Sequence, residues 1–133
     1  MVVLTDMPHD RPVVAIAVVR SAVGVLVGRR VDRTPPWVFV GGKVGPGETP
    51  VAAAVREASE EAGIVVEARG ELGRRVHPRT GRLIVYIDCW AATPDSIVAA
   101  PDELDDVRWI SVDELTTLMP DLFVRVREHL ETT

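Results

Sequence analysis

A glycine-rich loop that runs directly into a short helical stretch is the feature that most constrains this chain. The two together cover residues 42–64, and the stretch ends in a cluster of acids. Thr49 suits the N-cap of a helix, Pro50 suits its first turn because a missing N–H costs nothing there, and Gly63 suits a left-handed stop. The sequence therefore predicts an α-helix over residues 49–62.

The predicted helix has two unlike faces, because each residue turns the chain by about 100°. Its apolar face is expected to hold Val51, Ala54, Val55, Ala58 and Ala62. Its acidic face is expected to hold Glu57, Glu60 and Glu61. Like charges at this spacing repel one another, and they also face the negative end of the helix dipole. A divalent cation, which prefers carboxylate oxygens, would relieve this repulsion; the alternative is an acidic face that is only solvated.

The spacing of the loop and the acids resembles the signature of the Nudix hydrolases. That signature reads Gly, five residues, Glu, seven residues, Arg-Glu, an apolar residue, any residue, Glu-Glu, any residue, Gly and an apolar residue. Its fixed positions correspond to Gly42, Glu48, Arg56, Glu57, Glu60, Glu61 and Gly63, and its apolar positions to Ala58 and Ile64. A chance match at all of these positions is very improbable.

The resemblance implies a class of fold and of reaction. The fold is an α/β/α sandwich on a mixed β-sheet, and the predicted order of strands and helices agrees with it. The reaction is hydrolysis of a nucleoside diphosphate linked to a group X, with water attacking phosphorus in the presence of Mg²⁺ or Mn²⁺. We expect the 133 residues to form one domain, with residues 1–11 as a loose N-terminal tail.

The resemblance also implies a role for each matching position. The expected metal ligands are the carbonyl of Gly41 and the carboxylates of Glu57, Glu60 and Glu61. Glu57 would also act as the catalytic base, oriented by Arg56. Structural support would come from Gly42, Glu48 and Gly63, with Glu48 paired to Arg56.

Related enzymes often add one more acid from a late loop, either to complete the metal shell or to act as the base. The acidic run at residues 102–106 is the expected source in this chain. Glu103 is the first choice, and Asp102 and Asp105 are alternatives. Asp106 also stays open, because a single sequence does not determine the register of a loop.

The substrate pocket is expected to come from residues around the signature. Lys43 is the only lysine of the chain, and from the glycine loop it would hold a phosphate as a point charge. A base pocket would come from Trp37, Phe39, Tyr86 and Asp88. Alternation along the strand at residues 83–91 places the last two on a side with the character of a ligand-binding surface. The alternative is that this side packs under a helix.

The short chain resembles the MutT-like members of the family, which favours an NTP or dNTP as substrate, oxidised or otherwise modified nucleotides included. The products would be a nucleoside monophosphate and pyrophosphate. ADP-ribose or a nucleotide sugar is the second choice. A catalytically silent module that only binds nucleotides is the alternative from another class, and it would usually have lost acids that this chain retains.

The composition of the chain restricts the partners and the cellular compartment expected for the protein. A net charge of −5 gives little attraction for a nucleic-acid polymer, whose binding needs Lys and Arg to neutralise phosphates. The single cysteine, Cys89, lies in an apolar run and is expected in the core of a protein from a reducing compartment. No apolar run is long enough to cross a bilayer, so we expect a cytoplasmic protein without membrane binding. Assembly as a homodimer stays open.

The rest of the pattern predicts further strands and two C-terminal helices. The strands are expected at residues 12–20, 23–27, 37–40, 64–76, 83–91 and 107–110. A short helix capped by Ser111 is expected over residues 112–119. A last amphipathic helix is expected to begin at Pro120, with Leu122, Val126 and Leu130 along its apolar face.

Overall fold

The computed structural model describes residues 13–132. The expected tail at residues 1–11 lies outside this part of the chain. The strands are β1 (Val14–Ser21), β2 (Gly24–Arg30), β3 (Trp37–Val38), β4 (Val40–Lys43), β5 (Glu67–Val76), β6 (Leu83–Trp90) and β7 (Leu104–Ile110). The helices are α1 (Pro50–Ala62), α2 (Val112–Leu118) and α3 (Val124–Glu131).

Strand β1 is the centre of a mixed sheet. It runs parallel to β6 from Val14 to Arg20, antiparallel to β4 near its start and antiparallel to β2 at its end. Farther out, β5 pairs with β6, while β3 and β7 pair with β2. Over residues 13–132 these strands form one seven-stranded sheet.

Helices cover both faces of this sheet. On one face, α1 buries Ala54 and Ala58 completely in an apolar core that it shares with the strands. On the other face, Leu115 from α2 and Val126 and Leu130 from α3 join a second apolar core. The prediction of an α/β/α sandwich on a mixed sheet is confirmed. Because both faces are covered, β1 is apolar on both of its sides.

Helix α1 begins and ends where the sequence predicts. Oγ1 of Thr49 accepts a hydrogen bond from the Ala52 N–H at 3.1 Å, and Pro50 is the first helical residue. Gly63 ends the helix with a φ of 61°, a left-handed conformation that glycine adopts without strain. Its N–H donates to the Ser59 carbonyl at 2.9 Å. The local signals of the sequence therefore suffice to set the bounds of this helix.

The predicted division of α1 into an apolar face and an acidic face is wrong in part. Val51, expected in the core, is 40% exposed, whereas Ala53 is fully buried. Glu57 and Glu61 are buried, and Glu60 points outward with 54% of its side chain exposed. The helix packs with Glu57 and Glu61 against the glycine loop, an orientation that the helical period alone does not specify.

Several strand boundaries differ from the prediction. Strand β2 extends to Arg30 rather than ending at residue 27, and β5 begins at Glu67 rather than at residue 64.

Two further boundaries differ for a reason of pairing. Phe39 interrupts the strand expected over residues 37–40, because the chain there leaves β2 and joins β1. Strand β7 starts at Leu104 rather than at residue 107, because its first residues already pair with β2. Two acids of the late acidic run therefore belong to a strand and not to a loop.

The last helix starts later than predicted. It begins at Val124 rather than at Pro120, because the intervening chain forms a turn in which the Leu122 N–H donates to the Met119 carbonyl at 3.1 Å. Leu122 still packs against the second apolar core, but from outside the helix. The turn also brings the following phenylalanine to the edge of a cavity described below.

Candidate active site

The glycine loop and α1 bring two carboxylates against the edge of β4. The Gly41 N–H donates to Oε1 of Glu61 at 3.0 Å. The carboxylate of Glu57 occupies the space that a side chain at residue 42 would need. The absence of a side chain at Gly42 therefore leaves room for the Glu57 carboxylate to lie against the loop.

The Gly41 carbonyl points to the same side as these acids. Residues along an antiparallel strand alternate between bonding to the partner strand and turning away from it. The Val44 N–H donates to the Val13 carbonyl of the neighbouring strand at 2.8 Å, and Gly41 pairs with Ile16 in the same register. Because Gly41 and Val44 differ by an odd number of positions, Gly41 turns its N–H and carbonyl away from β1, toward Glu61.

Arg56 connects the loop to the helix. Its Nε donates to Oε2 of Glu48 at 2.8 Å and its Nη2 donates to Oε1 at 2.9 Å, so the expected ion pair is present in bidentate form. Glu48 also accepts a hydrogen bond from the Gly45 N–H at 2.9 Å. The Arg56 guanidinium, followed by this N–H, lowers the pKa of Glu48 to about 2. The loop is thereby held in one arrangement relative to α1.

The same guanidinium reaches two acids of the signature. Nη1 of Arg56 lies 2.9 Å from Oε1 of Glu57 and 3.1 Å from Oε2 of Glu60. Its Nη2 donates to the Lys43 carbonyl at 3.1 Å. One cation thus contacts both acids, which offsets part of the repulsion that the sequence pattern indicates.

The cavity beside these residues is referred to as the acidic cleft, and its volume is ≈ 640 Å³. Its acidic lining residues are Asp32, Glu57, Glu61, Asp102 and Glu103. Its cationic lining residues are Arg30, Lys43 and Arg82. Carboxylates and cations therefore face one another across a single space.

The buried acids of the cleft resist ionisation. Burial raises the pKa of Glu61 well above its usual range, the Gly41 N–H opposes this shift, and the carboxylates of Glu103 and Glu57 add to it. Burial also raises the pKa of Glu57, with Arg56 opposing the shift. Carboxyls in such surroundings favour either a proton or a nearby cation.

The donor set fits a divalent cation. Glu57, Glu61 and Glu103 line the same cleft, and carboxylate oxygens are the ligands that Mg²⁺ and Mn²⁺ prefer. In residues 13–132, no group of three acids, histidines or cysteines is already directed at one point, because the helix acids turn toward Arg56 and the Gly41 N–H. Binding of an ion would require oxygens of these side chains to converge on one point.

The late acidic run is divided between the cleft and the surface. Asp102 and Glu103 line the cleft. Asp105 instead pairs with two arginines at 2.8 Å, and Asp106 pairs with a third at 2.7 Å. The pairing of β7 with β2 produces this division, so only the first two acids of the run can serve the site without breaking an ion pair.

A second cavity, referred to as the aromatic cavity, adjoins the acidic cleft. Its volume is ≈ 480 Å³, and Ile16, Val38 and Phe39 line both cavities. The aromatic residues that line it are Trp37, Phe39, Tyr86 and Phe123. The rings of Tyr86 and Phe123 lie 5.1 Å apart. Three of the four residues expected to form a base pocket are therefore brought together.

Asp88, the fourth of these residues, does not line the aromatic cavity. It is buried, accepts hydrogen bonds from Nη2 of Arg20 at 3.2 and 3.3 Å, and lies 3.3 Å from Nε2 of His129. The prediction that Asp88 belongs to a base pocket is wrong. Helix α3 lies over this end of β6. This agrees with the alternative given above, that this side of the strand packs under a helix.

Arg75, Arg82 and Phe123 are among the cavity residues that sequence reasoning misses. A signal for Arg82 exists, because it precedes Tyr86 by an even number of residues and so belongs to the same side of the β6 alternation. Arg75 donates from Nε to the Tyr86 hydroxyl at 3.2 Å, a contact that depends on the pairing of β5 with β6. Phe123 arrives through the turn before α3, in which Pro120 holds the second position, a placement that favours a β-turn.

The model of the family described as NUDIX domain matches residues 9–131 of this chain. The chain belongs to the Nudix family. As a Nudix hydrolase, it acts on pyrophosphate bonds of nucleoside diphosphate-linked substrates. Nudix hydrolases generally need a divalent metal ion, in agreement with the donor set of the acidic cleft.

Solved structures of other hydrolases share the fold. A Nudix-family hydrolase from Clostridium perfringens is 16% identical and has a TM-score of 0.77 over 92% of this chain and 97% of its own. An Ap4A hydrolase from C. elegans is 18% identical, with a TM-score of 0.74 over 90% and 93% of the two chains. A MutT Nudix hydrolase from Burkholderia pseudomallei is 25% identical, with a TM-score of 0.62 over 77% and 84%. The fold is thus common to hydrolases that are named for different activities.

Within residues 13–132, no helix is both long and apolar enough to cross a membrane. The cytoplasmic location and the homodimer stay predictions.

Proposed function

We propose that this Nudix hydrolase converts nucleoside triphosphates, oxidised or otherwise modified dNTPs included, to nucleoside monophosphates and pyrophosphate. The supporting observation is the wall that the two cavities share at Ile16, Val38 and Phe39. A base that stacks in the aromatic cavity would leave its phosphate chain in the acidic cleft. The likeness to the 25% identical MutT Nudix hydrolase supports the same class of substrate.

In this proposal the acidic cleft holds Mg²⁺ or Mn²⁺. The proposed ligands are the Gly41 carbonyl and the carboxylates of Glu57, Glu60 and Glu61, with Glu103 as the added acid. Glu60 points outward and does not line the cleft in the structure, so it would have to turn inward to reach the ion. When bound, the ion offsets charge on the phosphates and makes a nearby water more acidic. The buried carboxylates of the cleft are the reason to place it there, since a cation offsets the cost of their burial.

Glu57 is the proposed base. Arg56 donates to Oε1 of Glu57 at 2.9 Å, which would orient the carboxylate that accepts a proton from the attacking water. The water that loses this proton attacks one phosphorus of the α–β bridge. A bond from the water oxygen to that phosphorus forms, the bond from the phosphorus to the bridging oxygen breaks, and the bridging oxygen leaves with the other phosphorus. Lys43 would hold the departing phosphates as a point charge.

A screen of substrates with identification of the products tests the proposal. The panel contains NTPs, dNTPs, oxidised dNTPs, ADP-ribose and nucleotide sugars, each with Mg²⁺, Mn²⁺ or EDTA. We expect a monophosphate and pyrophosphate from at least one NTP or dNTP, and no product in EDTA. Release of inorganic phosphate, or cleavage of ADP-ribose or nucleotide sugars alone, would contradict the NTP assignment. Nucleotide binding without any turnover would support the silent module.

A further inference from the structure

Two cations of the acidic cleft lack a side-chain partner in the described part of the chain. Of the three that line the cleft, Arg30 donates to both carboxylate oxygens of Asp32, at 2.9 and 2.6 Å. Within residues 13–132, neither Lys43 nor Arg82 has a side-chain hydrogen bond or an ion pair. The charges of these two side chains are therefore available to an anionic ligand.

The backbone holds Arg82 in place at the end of the hairpin between β5 and β6. Its N–H donates to Oγ1 of Thr80 at 3.2 Å, and its carbonyl accepts from the His77 N–H at 2.8 Å. The residue is half-buried and lines the acidic cleft. Hydrogen bonds therefore hold the backbone of Arg82, and its side chain does not extend from an unrestrained loop.

Arg82 and Lys43 lie on opposite sides of β1. Val14 of this strand pairs with Lys43 on one side and with Ile84 on the other. Two strand spacings separate Lys43 from Ile84, or about 10 Å. The Lys43 side carries the glycine loop and the signature acids. The Arg82 side carries β6, where Ile84 lines the aromatic cavity.

We propose that Arg82 binds the phosphate next to the nucleoside, the group that remains in the monophosphate product. This inference rests on the proposed function, because it requires the base to occupy the aromatic cavity. Such a base places the first phosphate on the β6 side of the acidic cleft, within reach of Arg82, and the later phosphates on the Lys43 side. A guanidinium suits this task, since its planar fork can donate to two phosphate oxygens at once.

The affinity of the Arg82→Ala variant for each product tests whether Arg82 and Lys43 bind different phosphates. By isothermal titration calorimetry with Mg²⁺, we expect the affinity for the nucleoside monophosphate to fall about tenfold, the size of one lost charge-assisted hydrogen bond. The affinity for pyrophosphate should stay within about twofold. In the same binding assay, Lys43→Ala should show the opposite pattern. In steady-state kinetics of Arg82→Ala, KM for the substrate should rise by a larger factor than kcat falls.

Arg127→Ala is the matched control. Arg127 is an exposed arginine on α3 that lines neither cavity, so its removal makes the same change in charge away from the site. Arg82→Lys keeps the charge but loses the fork, and it should recover part of the monophosphate affinity. Thermal unfolding of each variant separates a binding defect from a folding defect.

Two results would overturn the inference. One is a wild-type monophosphate affinity in Arg82→Ala, which would make Arg82 an ordinary solvated arginine at the rim. The other is an equal loss of both products, which would mean a general charge effect. If the wild-type enzyme does not hydrolyse NTPs but Arg82→Ala still loses monophosphate affinity, the proposed function fails while the phosphate site stands.

Discussion

The acidic cleft and the aromatic cavity share a wall but are assembled in different ways. The glycines, signature acids and lysine of the cleft come from residues 41–61, which form the end of β4, one loop and most of α1. The aromatic cavity draws on residues 33–39, 75–79, 84–86 and 118–123, which are distant in sequence. A local unit therefore positions the groups proposed for catalysis other than Glu103, whereas packing of distant segments forms the proposed base pocket. Substitutions in the cleft should change turnover, and substitutions in the cavity should change substrate binding.

The largest expected effect is on the cleft side of this comparison. Glu61→Gln should lower kcat by roughly 100- to 1,000-fold, as when one preorganised electrostatic group is removed from an active site. Its stability to thermal unfolding should not fall, because a neutral amide costs less to bury than a carboxylate. Steady-state kinetics with Mg²⁺ and a thermal melt measure both quantities.

Glu128→Gln is the control for that substitution, since Glu128 is an exposed acid on α3 outside both cavities. It should leave kcat and stability unchanged. Wild-type turnover in Glu61→Gln would remove Glu61 from the proposed metal site. An unfolded Glu61→Gln protein would mean that its carboxylate is needed for the fold, and the contrast between the two regions would then lose its basis.

A smaller effect is expected on the cavity side. Phe123→Leu keeps most of the volume of the side chain but removes the ring that lies 5.1 Å from Tyr86. KM for the nucleotide should rise about fivefold, which corresponds to about 1 kcal/mol of aromatic interaction, and kcat should change little. Initial rates over a range of nucleotide concentrations separate the two parameters. A fall in kcat with an unchanged KM would show that the cavity contributes to turnover. That result would contradict the separation of turnover and substrate binding between the two regions.

The smallest effect concerns the sheet that supports both regions. Cys89 is fully buried on the α1 face of β6, and burial, followed by the charge of Asp88, raises the pKa of its thiol to about 12. Above the ordinary thiol value of 9.0 the unfolded chain ionises while the folded chain does not, so the free energy of unfolding should fall as pH rises through that range.

Denaturant unfolding of wild type and Cys89→Ala at pH 8 and pH 10 measures this difference, and a thiol reagent should label the native wild type only as it unfolds. The alanine variant should lose less stability between the two pH values than the wild type does. Equal losses would assign the pH dependence to other groups, and rapid labelling of the native state would mean that the sheet opens locally.

Much of the cleft could be predicted from the sequence because its signals are local. The cap at Thr49 and the stop at Gly63 bound the helix, and the signature spacing identifies the ion pair between Glu48 and Arg56. The signature also identifies the family, and with it the mixed sheet between two helical layers. Each of these depends on backbone preferences or spacings within a few turns of chain.

The sequence by itself thus determined the helix, the loop, the family and the class of reaction. Tertiary structure alone decided which acids face the cleft: Glu57 and Glu61 turn inward, Glu60 turns outward, and Asp105 pairs with arginines at the surface. It also decided that Asp88 lies beneath α3 and that Phe123 reaches the aromatic cavity. The physical reason is that periodicity gives the relative angles of side chains on one element, whereas the absolute orientation of that element depends on what packs against it.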